Sequence, residues 1–407
     1  MRYWKSLSLN IFFSILISLA IIYLSTNQSL WGYFWGSLSI PAQIPFSDLK
    51  AHIQFYNCHS NGVDIYLESC NLIPDGNAKI STHPKIWLSI VNLFNLTNPY
   101  IYNFFVFLTL TTYFSILFQM LKFFKTSEAK IFFFIFLIST TNFILVERFA
   151  TDILIFILIY VILNTDKKIL QGLVIFFGLL LKYYPVFLTS IFLKNKKYLF
   201  IYSFLFVLFI IYFYLDEIKL VNENILEIAL IVAYGSRTFA KAFYHLSNEY
   251  NFFINENNYE TFRNLIIYLS ALYSFSLFIV GYKYNCKKNH KLDNKLNVFF
   301  IGACSIYIGT FITGSNFDYR LIFLIFTIPY ILNVENTILK KTILICYIIS
   351  LNSFLIQHST YFFNSNALSY IYYIKALFVY SSKFIILSIL SYLLGSYLKE
   401  INFLNLK

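Results

Sequence analysis

The stretch that decides the fold is residues 167–197, KKILQGLVIFFGLLLKYYPVFLTSIFLKNKK. Lys167–Lys168 open it and Lys194, Lys196 and Lys197 close it, with an apolar segment, Ile169–Leu193, between. Clusters of Lys beside apolar runs mark the cytoplasmic side of a membrane protein. With both flanks on that side, the segment has to enter and return. Its middle reads Leu181-Lys182-Tyr183-Tyr184-Pro185, and Pro185 disfavours helix at the residue before it. Each half is only about 17–20 Å long at 1.5 Å per residue. The expectation is a broken-helix hairpin with Lys182 near its tip. Non-helical backbone at that depth needs protein or a water-filled cavity to satisfy it.

The composition fits a chain of this kind throughout. The 407 residues are 58% hydrophobic and 12% charged, with mean hydropathy +0.66. Soluble domains run nearer a quarter charged. The 12 Gly and 7 Pro exclude a collagenous or loop-dominated chain. Aromatic residues reach 21%, with 48 Phe and 34 Tyr, as suits lipid-facing and interfacial surfaces. The net charge of +12 is read as cytoplasmic loops, not as a nucleic-acid partner, because no basic stripe stands out. There is no linker, repeat or soluble domain, so residues 1–407 read as a single integral-membrane domain.

Working outward, Arg2 and Lys5 precede the run Leu7–Leu24, read as an uncleaved first span. Residues 26–98 form a long, mostly polar extracytoplasmic loop. Pro99–Leu121 ends at Lys122, Lys125 and Lys130, and Ile131–Val146 crosses back to Glu147 and Arg148. Residues 150–164 return inward, and 198–215 go out to a second large extracytoplasmic region, 216–263, with an amphipathic piece around Ile225–Tyr234. Residues 264–282 lead to the basic loop holding Lys283, Lys287, Lys288, Lys291 and Lys295. The runs 296–313, 321–334, 342–357 and 376–398 complete the path, with Lys340, Lys341, Lys399 and Lys407 inside. The fold class is therefore all-α, a polytopic transmembrane helical bundle of about twelve crossings with both termini cytoplasmic. Membrane lipid is its surrounding partner.

This topology collects the distinctive polar residues on the outer face. They are Asp48, His52, Asp64 and His83 in the first loop, then Glu147, Arg148 and Asp152, then Asp318 and Arg320. A charge at membrane depth costs roughly 2.5–3.5 kcal/mol on insertion scales, which makes each a functional candidate. Ser47 reads as an N-cap that leaves Asp48 in a first turn, where the helix dipole keeps a carboxylate ionised and able to accept a proton. His52 follows one turn later on the same face. Asp48 would equally serve as a complement to the helix terminus alone. Arg148 and Arg320 suit bidentate contact with phosphate, and Lys182 suits a point charge; each Arg would equally form a local ion pair.

His52, His59, His83, His245 and His358 show no metal-ligand spacing, so no metal site is expected of them. A divalent cation is the one cofactor the sequence leaves room for, through Asp48 and Asp64. Cys58 and Cys70 share the first outer loop and are candidates for a disulfide there, while Cys286, Cys304 and Cys346 read as free thiols. The sequence has no Gly-rich phosphate loop, which argues against nucleotide-driven chemistry.

Several of these pieces together resemble the superfamily C integral-membrane glycosyltransferases, and within them glycosyltransferase family 87, the bacterial mannosyltransferase-like proteins that use polyprenyl-phosphate sugars. The likeness is carried by Phe46-Ser-Asp48-Leu after the first span, and by Asn61-Gly62-Val-Asp64-Ile-Tyr66 with His83-Pro84-Lys-Ile-Trp87. It continues in Glu147-Arg148-Phe-Ala-Thr-Asp152, in Leu181-Lys182-Tyr-Tyr-Pro185 before Lys194-Asn-Lys-Lys, and in Asn316-Phe-Asp-Tyr319-Arg320-Leu. The chain departs from the family pattern at Phe149-Ala150-Thr151, where a Gly-Asn pair is usual, and at His83, where Tyr is common before Pro84.

The resemblance implies an inverting hexosyltransferase of the bacterial plasma membrane with its site on the extracytoplasmic face. The donor would be a polyprenyl-phosphate-linked sugar and the acceptor a glycolipid or surface polysaccharide. Asp48 would be the general base. Arg148, Lys182, Arg320 and Tyr319 would face the donor phosphate, with Asp64, His52 and His83 lining the substrate site. Two other classes share the hydropathy: a transporter or flippase for lipid-linked oligosaccharide, and an outer-face polysaccharide polymerase or ligase.

Overall fold

A computed structural model describes residues 2–38, 40, 44–70, 81, 83–224, 233–249, 256–284, 294–314, 316–358 and 368–401. The described residues are 83% helical, and a single two-residue strand pair, Ala233–Tyr234 with Asn316–Phe317, is the only sheet among them. The all-α class follows directly. The amphipathic piece expected at 225–234 lies mostly outside the described residues, as do Cys286, Lys287, Lys288, Lys291 and Lys407.

Four helical segments are long and apolar enough to cross a bilayer, Pro99–Phe123, Asn258–Lys283, Asn294–Thr313 and Ile374–Glu400. Two bent pairs raise the number to six if each counts as one span, Leu9–Ser25 with Gln28–Ser37 and Ser127–Leu137 with Thr140–Arg148. The protein is thus a helical, multi-pass membrane protein, with fewer full-length spans among the described residues than the twelve crossings expected. Helix length accounts for the difference. Asp152–Asn164 and Lys168–Leu181 have 13 and 14 residues, about 20 Å each against a hydrocarbon core of about 30 Å. The run expected at 321–334 is a 3-10 segment, Asp318–Thr327, followed by the five-residue helix Ile328–Leu332. The run at 342–357 is two helices, Thr337–Leu351 and Ser353–His358, parted at Asn352.

The described residues gather into two compact units, neither continuous in sequence. The first comprises residues 1–126, 143–186 and 200–226. In it the helix Arg2–Ser25 packs along Pro99–Met120, which in turn packs on Asp152–Asn164. The stretch 26–98, expected as a polar loop, holds three helices, Gln28–Ser37, Ser47–Ser60 and Ile86–Leu93. Local chemistry sets their ends. Asn27 adopts an extended conformation, and its side chain accepts from the N–H groups of Ser29 and Leu30, so one helix stops and another starts at 118° to it. Asn98 does the same for Pro99–Met120, with Pro99 in the first turn. Cys58 and Cys70 are joined in a disulfide that closes the loop after Ser47–Ser60, around a small core of Phe55, Ile65 and Tyr66.

Three helices of this unit end in the same hydrogen-bond pattern, with a left-handed residue just past the helix. At Gly62, the N–H of Val63 reaches Cys58 and that of Gly62 reaches His59. At Asn95, Leu96 reaches Val91 and Asn95 reaches Asn92. At Phe149, Ala150 reaches Leu145 and Phe149 reaches Val146. Gly and Asn are the usual occupants of this conformation; a Phe there carries a cost of about 1–2 kcal/mol. The buried Phe149 ring packs on Phe46 and Phe105, which offsets it.

The second unit comprises residues 127–142, 187–199 and 227–407. Its longest contact runs between the helices Glu256–Lys283 and Leu368–Glu400. The two approach backbone to backbone. A Cβ on Gly281 would strike the carbonyl of Tyr392, and one on Gly395 the carbonyl of Phe278. Hydroxyl pairs line the same seam, Ser274 with Ser391 at 2.7 Å and Tyr273 with Ser388 at 2.9 Å. Small residues and interhelical hydrogen bonds are the usual means of joining helices in lipid, where apolar side chains gain nothing by leaving the tails.

Candidate functional site

The first unit brings Asp48, His52, His83, Arg148 and Lys182 into one connected cluster. Asp48 lies in the first turn of Ser47–Ser60. The expected N-cap, Ser47, is instead the first helical residue. Phe46 holds the cap position in a left-handed conformation, with no side-chain cap and its N–H donated to the carbonyl of Glu147 at 3.0 Å. That bond pins the start of one helix to the end of another. It sets Asp48 opposite Arg148, and the Arg148 Nη1 donates to Asp48 Oδ1 at 3.5 Å. Both groups are partly open to solvent, 36% for Arg148 and 20% for Asp48. Two bulky left-handed residues, Phe46 and Phe149, therefore flank the pair and touch each other through their rings. Backbone conformations of this kind persist only where the surroundings enforce them.

Beside the pair, Glu147 is buried and accepts the Trp31 indole N–H at 3.4 Å. One turn after Asp48, His52 is also buried. Its ring stacks on Trp87 with centroids 4.1 Å apart and meets His83 edge-on at 4.5 Å. Its Nε2 lies 3.3 Å from the Thr151 hydroxyl. Burial, and then the neighbouring His83 and Lys182, push the His52 pKa well below the ordinary imidazole value, so the ring is neutral at physiological pH.

Trp87 ties this aromatic stack to the broken helix, since its indole N–H donates to the carbonyl of Leu181 at 3.3 Å. The helix Lys168–Leu181 ends there, Lys182 is extended, and a 3-10 segment starts at Tyr184. Pro185 folds back so closely that a Cβ on Gly178 would lie 3.1 Å from it. The break thus falls where the sequence expects it. Lys182, however, has a partner inside the protein. Its Nζ donates to Asp152 Oδ2 at 2.6 Å, and Tyr184 donates to Asp152 Oδ1 at 2.6 Å. Asp152 is fully buried and Lys182 nearly so.

Asp64 stands apart from this cluster in role: its carboxylate accepts the Tyr66 N–H at 3.0 Å and shapes a turn, as Asp commonly does. Tyr66 then donates to the carbonyl of His83, fixing the segment that carries that ring. Tyr319 and Arg320 belong to the second unit. Tyr319 is buried with its ring stacked on Phe317, and Arg320 donates to the side chain of Asn316. Next to them Asp318 is sealed, receiving Lys383 Nζ at 2.7 Å and the Ser353 hydroxyl. Lys383 also donates to the carbonyl of Ala233 at 2.8 Å.

The partners were the part that residue-by-residue reading missed. In the sequence Asp152 is a candidate with no partner assigned to it, Tyr184, Trp31 and Trp87 have no assigned role, and Lys383 is not singled out. The available signal was Lys383 itself, a charge well inside the apolar run 376–398. Among the described residues no three His, Cys, Asp or Glu side chains gather as a metal ion would require. Chemically, the Asp48–Arg148 pair offers a proton acceptor and an anion-binding group side by side, with a 3.5 Å contact long enough for a substrate oxygen to replace. No known protein family, curated protein or solved structure matches this chain.

Proposed function

We propose that this protein is an inverting membrane glycosyltransferase that moves a hexose from a polyprenyl-phosphate donor to a glycolipid or surface-polysaccharide acceptor. The observation that carries the reading is the half-open Asp48–Arg148 pair. In this scheme the Asp48 carboxylate takes the proton of an acceptor hydroxyl. The resulting oxygen attacks the anomeric carbon, the bond from that carbon to the phosphate oxygen breaks, and the lipid phosphate leaves with the electron pair. Arg148 neutralises the charge that builds on it, the kind of electrostatic help that dominates such transfers. The buried Lys182–Asp152–Tyr184 group fixes the break in the helix, and Trp87 joins that break to the His52 ring one turn after Asp48. Arg320 and Tyr319 are assigned to the donor phosphate by the family resemblance alone. The matching topology is a bacterial plasma-membrane protein of about twelve crossings, with the short helices contributing and the site facing away from the cytosol.

The test is transfer in proteoliposomes supplied with a polyprenyl-phosphate hexose and lipid acceptor. Asp48→Asn is expected to abolish transfer while leaving the folded, membrane-inserted protein intact. Wild-type turnover in that variant would remove Asp48 from the role of base. Lys182→Ala is expected to impair donor use more than acceptor use.

A further inference from the structure

The helix Gln28–Ser37 is uncharged and set at 118° to the apolar helix before it, and its ten residues divide into three faces. Trp31 and Trp35, one turn apart, are buried against the protein, on Phe46 and Phe143 respectively. Leu30, Tyr33 and Phe34, with Ser37 at the C-terminal end between them, form a second face and are exposed, Tyr33 at 81%. Gln28, Ser29, Gly32 and Gly36 form the third, and a Cβ on Gly36 would meet nothing. At 100° per residue the exposed aromatic face and the small polar face lie on opposite flanks of the buried Trp pair.

We infer that Gln28–Ser37 is a membrane-interface helix, resting Leu30, Tyr33 and Phe34 at the boundary of headgroups and acyl chains while its small polar flank faces water. Three features commit this surface to lipid. The helix follows, two residues on, an apolar segment that ends at Ser25, so it starts at the edge of the bilayer. Tyr and Phe beside Trp are the side chains that favour that boundary. A helix with one apolar and one polar flank lies in the interface plane. The inward face fixes what is held at that level: Trp31 donates to Glu147, next to Arg148 and its partner Asp48. The helix therefore sets the charged pair at headgroup depth, where a lipid-borne phosphate would arrive. This placement stands on its own and does not depend on the proposed transfer reaction.

The test replaces Tyr33 with Trp in the full chain, reconstituted in phosphatidylcholine vesicles with bromine placed high or low on the acyl chain. The emission added by Tyr33→Trp is expected to be lost to lipids brominated near the glycerol and largely kept with bromine near the chain ends. A Gln28→Trp counterpart is expected to lose its emission to aqueous acrylamide instead. Stronger loss for Tyr33→Trp to bromine near the chain ends would overturn the inference in favour of a re-entrant segment. Loss only to acrylamide would place the face in water and overturn it as well. Phe34→Trp, on the same flank, serves if Tyr33→Trp does not reconstitute, with the same outcomes.

Discussion

The Asp48–Arg148 pair and the Asp318–Lys383 pair each join a carboxylate to a cation, and they live in opposite surroundings. The first is partly exposed, with its two groups 3.5 Å apart. The second is wholly buried at 2.7 Å, braced by Ser353 and by the carbonyl of Ala233. An exposed pair contributes little to stability, because water and salt screen it. A buried pair costs much to desolvate, and removing one partner leaves the other stranded. A carboxylate and a cation are therefore a replaceable contact in one unit and a structural tie in the other. The tie joins a helix within Ile374–Glu400 to the strand pair and the turn before Asp318–Thr327, where backbone is not helical.

That contrast can be broken by mutation. The largest effect is expected for Lys383→Met, which strands Asp318 and should cost about 3–5 kcal/mol. Loss of thermal stability in detergent would report it, and Asp318→Leu added to Lys383→Met should recover much of the loss. Asp152→Ala comes next: it strands Lys182 and removes the acceptor of Tyr184, at about 3 kcal/mol on the same assay. Arg148→Ala should change stability by less than about 1 kcal/mol while sharply lowering transfer in proteoliposomes. If it destabilised the protein as much as Lys383→Met, the distinction between the pairs would fail.

A smaller effect follows from His52. Its folded-state pKa is depressed, so the unfolded chain takes up a proton first as pH falls through about 6.5. Stability is then lost with falling pH below that value, down to the folded pKa, and rises with pH across the same window. Replacing His52 with Gln should flatten that part of a melting-temperature profile. Gly62→Ala should cost about 1 kcal/mol in the same thermal assay and leave transfer unchanged, since Gly62 holds the left-handed turn after Ser47–Ser60.

The helical class, the membrane setting and the break at Lys182 were legible because hydropathy, Lys clusters and Pro185 speak locally. So was the neighbourhood of Asp48 and Arg148 as separate turns. The pairing of Lys182 with Asp152, 30 residues away, was not, because sequence alone shows which charges need partners and not which are within reach. The twelve crossings expected exceed the four to six full-length spans among the described residues for a related reason. An apolar run of 14 residues reads the same whether it crosses, turns back, or ends in a 3-10 segment. Phe149 is instructive in the same way. Nothing local in the sequence marks Phe149 as a helix stop, yet the structure gives that position a φ of 51°, the conformation Gly adopts without strain.

The seam between Glu256–Lys283 and Leu368–Glu400 has a mechanical meaning. With Gly281 and Gly395 each seated against a carbonyl of the opposite helix, no hydrocarbon tail can wedge between them, and neither helix can slip by a turn without driving a side chain into main chain. The two act as one beam. Bending within that unit has to come from elsewhere, and the break at Asn352 between Thr337–Leu351 and Ser353–His358 is where the chain has a joint to give.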